Sequence, residues 1–288
     1  MQNRLFLKLT LSVCILLQVS FLAFSQEKSL LWKISGNGLS KDSYLFGTIH
    51  IICKEDFIMN DKVKKAFESS SKLVMELDMG DPQLMAKMQQ QSLNPGMKNI
   101  QGELSEEDAN LMDAFFMENF GAGLSQIGIL KPFVLSSMAL IKTLPCQETE
   151  SFEGYFTSQA QSLSKPIEGL ETVEIQMGTF DQIPSKVQLD ELVKMIKEKS
   201  GAEEFDRMVK SYLAEDIDAL YQTMNQDGMM KEYRGIMLDN RNKAWIPQLE
   251  EKMAKESLFV AVGSGHLAGE YGVISLLRKA GYQVEPVN

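Results

Sequence analysis

Residues 44–52 read YLFGTIHII, and the fold turns on whether this run is a strand. Tyr44, Phe46, Ile49, Ile51 and Ile52 are the aromatic and β-branched types that suit a pleated, half-buried surface, so the run predicts a buried strand ending near His50. The chain of 288 residues has only two histidines. The other, His266, lies in LFVAVGSGHLAG (258–269), again behind an apolar run and again three residues after a glycine. Each histidine thus follows a strand and a glycine, Gly47 or Gly263, that lets the backbone approach a neighbour or turn sharply.

Further strands are expected at KLVMELDM (72–79), SLFVAVGSG (257–265) and YQVEPV (282–287), with LLWKISG (30–36) as an edge strand and KPIEGLE (165–171) as a short one. Between the strand of His50 and the one at 72–79, NDKVKKAFESSS (60–71) has helical spacing. LAGEYGVISLLRKAG (267–281) reads as a helix stopped by Gly281. Both chain ends therefore read strand, Gly-x-x-His, helix, strand. That pattern favours neighbouring parallel strands joined by right-handed crossovers. The middle is helical: SEEDANLMDAFFMENFG (105–121) opens on Ser105 as N-cap with acids in its first turn. Four more helical runs follow, then a last helix from about Met230 to Lys255. The expected architecture is α/β, a small mixed sheet built from both chain ends with a large helical insertion.

Residues 1–25 carry Arg4 and Lys8, a long apolar core, and Ala23-Phe24-Ser25 before Gln26. This is the pattern of a secretory signal peptide cleaved before Gln26, an uncleaved anchor being the alternative because the run is close to spanning length. A mature domain of residues 26–288 follows, exported to a periplasm or the extracellular space. Of the 29 basic residues it keeps 27, after the loss of Arg4 and Lys8, against 39 acidic ones. Such a surface repels nucleic acid and anionic lipid. No other segment is apolar enough for membrane insertion. Cys53 and Cys146 remain in it, and pairing and free buried thiols are both open readings.

Ligands of open α/β sheets gather beyond the C-terminal ends of the strands. If the two histidine strands lie parallel and adjacent, His50 and His266 emerge at one edge, suited to a metal ion. The carboxylate for such a site is Glu76, flanked by Val74, Met75 and Leu77 in a strand that reads as buried. A lone buried carboxylate is costly, so a cation or strong donors should lie beside it. Asp78 shares its face by strand alternation but is nearer solvent. Glu171 follows another strand, and Arg241, with Asn242 on a helix, has a fork suited to carboxylates: a substrate's, or Glu76 or Glu171. A solvated helix face is the alternative for that arginine. Ser264 in GSGH has no orienting partner for its neighbouring base, so a serine hydrolase is poorly supported.

Taken together, LLWKISG…SYLFGTIHI, LVMELDM, KPIEGLET, LDNRNKAW and FVAVGSGHLAGEYGVISLLRKAGYQVEPV resemble the TraB/GumN family, which includes the animal Tiki metalloproteases. The family's two Gly-x-x-His motifs match Gly47 with His50 and Gly263 with His266. Its strand glutamate falls on Glu76, its Leu-Glu-Thr on Leu170, Glu171 and Thr172, its Arg-Asn on Arg241 and Asn242, and a further acid on Glu153. The resemblance implies a core like that of ChaN-type haem-uptake and erythromycin-esterase-type proteins. It also implies a divalent-metal site, manganese or cobalt before zinc, held by the histidines and Glu76, with Glu171, Arg241 and Asn242 supporting it or positioning substrate. The resulting expectation is an exported metal-dependent hydrolase acting on a peptide or protein; the competing one is a non-catalytic peptide- or haem-binding protein.

Overall fold

The computed structural model describes residues 28–199, 201–226 and 228–288; the expected signal peptide lies outside them. Among the described residues eight strands form: β1 (Leu31–Ser35), β2 (Ser43–Thr48), β3 (Ile52–Cys53), β4 (Lys72–Leu77), β5 (Thr149–Glu150), β6 (Ile167–Glu171), β7 (Leu258–Gly263) and β8 (Gln283–Pro286). Six of them make one sheet in the order β6-β4-β7-β2-β1-β8, and β3 pairs with β5 in a separate ribbon. The four strands β6, β4, β7 and β2 run parallel, while β1 is antiparallel to both β2 and β8.

The α/β architecture with a helical insertion is borne out. Two expectations about neighbours are corrected. The parallel strands of neither βαβ unit are adjacent: β7 sits between β4 and β2, and β2 and β1 separate β7 from β8. All six β7 residues, LFVAVG, are buried, and a strand with no polar face belongs in the middle of a sheet covered on both sides. Nor is β1 an edge strand. It lies between β2 and β8, with Leu31, Trp32 and Ile34 buried, and the edges fall to β6 and β8.

The sheet core is aromatic: Phe46, Phe67, Phe156 and Phe259 pack with ring centroids 4.9–6.1 Å apart, separations at which ring quadrupoles attract. A second core lies inside the insertion, where helices Glu106–Phe120, Pro132–Thr143 and Ser185–Glu198 bury Met112, Phe116, Leu135, Leu189 and Leu192. Ser105 caps the first of these by accepting from the Asp108 amide, as its sequence signals, and Gly121 ends it in the left-handed conformation. The helix after His266 starts late, at Val273, because Gly269 (φ 88°) and Gly272 interrupt the run.

The long final helix is likewise divided. Residues Gly228–Arg234 are α-helical, Gly235–Asp239 form a π-helical turn, and Asn240–Met253 resume the α-helix. Such bulges insert a residue and reorient the helix beyond them; here that stretch begins with Asn240, Arg241 and Asn242. Cys53 and Cys146 form a disulfide, which resolves the question the sequence left open. It ties the β3 side of the ribbon to the segment leading into β5.

Candidate functional site

Strands β2 and β7 are neighbours in register, Gly47 opposite Val262 and Thr48 opposite Gly263. The chain leaves both at the same edge. It bends through Ile49–Ile51 after β2 and turns through the 3-10 segment Ser264–His266 after β7. His50 and His266 therefore emerge together, beside Glu76 near the end of β4 and Glu171 at the end of β6.

The two motif glycines serve each other's histidines. A Cβ on Gly47 would come within 2.6 Å of Leu267 Cδ1 and 3.2 Å of Ser264 Cα, so a side chain there presses on the turn that carries His266. A Cβ on Gly263 would lie 3.3 Å from both Glu76 Oε1 and His50 Nε2. The Gly47 carbonyl is held by the buried Tyr212 hydroxyl, which donates to it at 3.0 Å. Gly47→Ala is expected to cost about 1–3 kcal/mol, the usual range for overpacking. Gly178→Ala, on a helix with open space around it, should be neutral or stabilising. Urea unfolding of both variants checks this, and equal behaviour would refute the packing role of Gly47.

Each imidazole is held from behind at its Nδ1, which for the neutral His266 also sets the tautomer. The Asn242 amide donates to the Tyr271 carbonyl at 2.9 Å and to the His266 carbonyl at 3.4 Å. Its Oδ1 can then only accept, and it does so from His266 Nδ1 at 2.6 Å. His266 Nε2 is left as a lone pair, 3.8 Å from Glu76 Oε1. The ring is buried and lies against Trp245, centroids 4.5 Å apart. His50 Nδ1 contacts Glu153 Oε1 at 2.9 Å, and the same oxygen accepts from Thr48 Oγ1 at 2.6 Å. Ser151 donates to the other Glu153 oxygen at 3.0 Å. This leaves His50 Nε2 facing Gly263 and Glu76. Imidazoles that bind metal are held in this way by a carboxylate or amide on the far nitrogen.

Glu76 is buried, as expected, and fully compensated. Its Oε1 accepts from the Gly263 amide at 2.9 Å, and its Oε2 accepts from Gln176 Nε2 at 2.9 Å and Arg241 Nη2 at 2.6 Å. Arg241 does not face solvent. Its Nε and Nη2 grip Glu171 at 2.8–3.1 Å, its Nη1 donates to the Met237 carbonyl at 3.1 Å, and Nη1 lies 3.3 Å from His266 Nε2. Glu171 also accepts from Trp245 Nε1 at 3.0 Å. The structure thus brings together His50, His266, Glu76, Glu171, Arg241, Asn242 and the further acid Glu153. Asp78 stays out of the cluster and caps its own turn at the Gly80 amide. Sequence reasoning did not single out Gln176 or Trp245; the signal at hand was Trp245 one helical turn after Arg241, on the same face.

Burial opposes ionisation of Glu76, but the neighbouring imidazoles, Arg241 and the Gly263 amide outweigh it and lower its pKa to about 2. Burial pushes His266 down to about 3 against the pull of Glu76. A neutral His266 lends Glu76 no charge at pH 7, so His50, Arg241 and the amide keep that carboxylate ionised. Desolvation also works against a charge on His50, yet the Glu153 hydrogen bond and the charge of Glu76 prevail and raise it to about 9. Its side chain is 67% exposed, so solvent screens part of that effect.

Stability should therefore depend on pH from both sides of neutrality. His266, neutral in the fold, loses the protein stability as pH falls from about 6.5 towards 3, where the unfolded histidine binds a proton and the folded one does not. Glu76 adds a loss in the same direction, beginning near 4.5. His50 contributes in the opposite sense: its stabilisation is present below 6.5 and lost as pH rises through about 9. Urea midpoints of the metal-free protein should fall on both sides of a maximum at roughly pH 6.5–7. His266→Asn should flatten the acid limb between about pH 6.5 and 4.5; an unchanged limb would contradict the assignment.

The His266 Nε2 lone pair, a Glu76 oxygen and the Nε2 of His50 once that ring gives up a proton are a donor set that fits a divalent cation. His50 otherwise keeps its proton up to about pH 9, so binding an ion there would release that proton. The spacing is not closed around one: among the described residues no three His, Cys, Asp or Glu side chains are grouped tightly enough to hold a metal ion, and Arg241 reaches both His266 and Glu76.

The sequence pattern of the TraB/PrgY/gumN family matches residues 30–286. An uncharacterised protein of Treponema pallidum is 22% identical over 93% of this chain and 89% of its own. The metalloprotease TIKI2 of Danio rerio is 22% identical over 89% of this chain and 60% of its own, and the metalloprotease TIKI1 of Homo sapiens is 22% identical over 91% and 62%. The chain thus spans about three fifths of the length of these two metalloproteases. No solved structure matches.

Proposed function

The chain belongs to the TraB/PrgY/gumN family, and we propose that within it this protein is an exported, divalent-metal-dependent hydrolase acting on a peptide or protein. One observation carries the reading: His266 Nε2 lies 3.8 Å from Glu76 Oε1, and His50 Nε2 and that same oxygen meet over Gly263, with the Nδ1 of each ring held by Asn242 or Glu153. His50, His266 and Glu76 are the residues that would hold the ion, manganese or cobalt before zinc. When bound, such an ion lowers the pKa of water and polarises a carbonyl. The chain's own groups do the rest. Glu76 stays ionised as third ligand or as the base that takes a proton at Oε1. Trp245 shields one face of His266 from water, and Arg241 presents cationic charge where a substrate oxygen becomes negative. Export is supported by the N-terminal segment and by the Cys53–Cys146 disulfide, a bond that persists in oxidising compartments. Among the described residues no helix is long and apolar enough to cross a membrane.

A second reading has its own support. The Arg241 guanidinium already neutralises Glu76 and Glu171 and reaches His266, so a non-catalytic peptide- or haem-binding protein needs no metal to account for the buried acid. Metal content of purified residues 26–288, with manganese, cobalt and zinc titrations, separates the two. One ion per chain is expected, with affinity at least about 100-fold weaker in folded His50→Ala and His266→Ala, since even outer partners of a ligand are worth 10–100-fold. Absence of metal, or unchanged affinity in the variants, rejects the hydrolase; a visible absorbance band on adding hemin would then favour the haem reading.

A further inference from the structure

Beside His50 lies an open groove of about 300 Å³ lined by His50, Ile51, Thr149, Glu150, Ser151 and Tyr155, with Gly154 at its floor. One wall is β5, whose two residues are both exposed. The other is the first turn of helix Phe152–Ser162. Among the described residues strand β5 pairs with β3 on one side and with no strand on the other.

The register shows which backbone groups that leaves. Ile52 is opposite Glu150 and Cys53 opposite Thr149, and the Lys54 amide donates to the Glu148 carbonyl at 3.0 Å. In an antiparallel pair, positions alternate between bonded and non-bonded. Lys54 with Glu148 is a bonded pair, so Cys53 with Thr149 is not, and the Thr149 N–H and C=O point away from β3. The segment leading into this edge is tied to β3 by the Cys53–Cys146 disulfide, with the exposed Lys54–Glu148 ion pair at 2.6 Å beside it. An edge held in place forfeits little entropy when a further strand is added.

We propose that this groove is the subsite for an extended polypeptide bearing a lysine or arginine, which adds as a strand to β5 through Thr149 and so carries its backbone past His50. Strand addition draws affinity from main-chain hydrogen bonds and specificity from pockets for alternate side chains. Here the pocket is the space over Gly154, where a methyl group on that residue would meet Ser151 alone, no nearer than 3.8 Å, beside the Tyr155 ring. Its exposed charge is Glu150, which pairs with no cation among the described residues; a basic side chain complements it. The subsite's place on the reaction path rests on His50, Glu76 and His266 being the reacting centre, and it gives the route by which substrate reaches them.

The test uses residues 26–288 and two fluorescent pools of capped heptapeptides with threonine at alternate positions, one with central lysine and one with central glutamate. Binding is read by anisotropy, and manganese binding is measured on the same samples. The lysine pool should bind, and N-methylation of its alternate backbone nitrogens should weaken it about fivefold or more, the loss of roughly one hydrogen bond. Thr149→Pro, which removes the outward N–H, should do the same, and Glu150→Lys should reverse the preference between pools, both with manganese binding unchanged. The subsite is overturned if neither pool binds, if N-methylation has no effect, or if wild type sediments as a dimer that Thr149→Pro dissolves, since a second copy then covers the edge. Peptide binding with these dependences but without manganese binding upholds the subsite and rejects the hydrolase.

Discussion

Arg241→Ala is expected to destabilise the protein by about 3–5 kcal/mol, the range for removing one partner of a buried ion pair. The side chain is 13% exposed, and Glu76 and Glu171 beside it are 9% and 4% exposed. Every nitrogen of the guanidinium is engaged: Nε, Nη1 and Nη2 are directed to two carboxylates, the Met237 carbonyl and His266. Lysine has a point charge and no fork, so Arg241→Lys should recover only part of the loss. Millimolar manganese should recover a further part in Arg241→Ala, because a cation between Glu76 and the imidazoles supplies the charge that the arginine did. Urea unfolding with and without the ion measures all three. A loss under about 1 kcal/mol, the scale of an exposed pair, would mean that the two acids are compensated by something other than Arg241.

Removing the disulfide should have a comparable effect. Cys53 and Cys146 close a loop with a sequence separation of 93, and in the chain-entropy account a loop of that size is worth about 4–5 kcal/mol. Cys53→Ala with Cys146→Ala is expected to lower Tm by roughly 10 °C or more, at about 2–4 °C per kcal/mol for a domain of this size. The loss should appear equally in the reduced wild type. A change of only a degree or two would show that the β3–β5 ribbon is held by the packing next to it, with Phe57 after β3 against Phe152 and Tyr155, and that the cross-link is incidental to stability.

Much of the site was legible because its chemistry is unusual for its setting. A carboxylate in LVMELDM has to be compensated, and the structure compensates it with Arg241, Gln176 and the Gly263 amide. Two histidines in matching Gly-x-x-His settings proved to be neighbours because β2 and β7 are parallel and in register. Gln176 was not legible: an exposed-looking helix glutamine carries no mark of its target until the helix is docked. The role of Glu153 was not legible either, since it depends on the helix Phe152–Ser162 presenting its first turn to the end of β2.

Where strands and helices lie could be read from the chain alone, because local periodicity, capping residues and glycines act over a few positions: Ser105 and Gly121 bound their helix, and LFVAVG forms a fully buried strand. So could the residue types that had to find partners. The order of strands emerged only on packing, where the strand without a polar face took the centre and displaced the expected β2–β4 adjacency. The destination of Arg241 emerged there too, since it depends on a π-helical turn and on the approach of a helix to a sheet edge, a long-range geometry that no local pattern encodes.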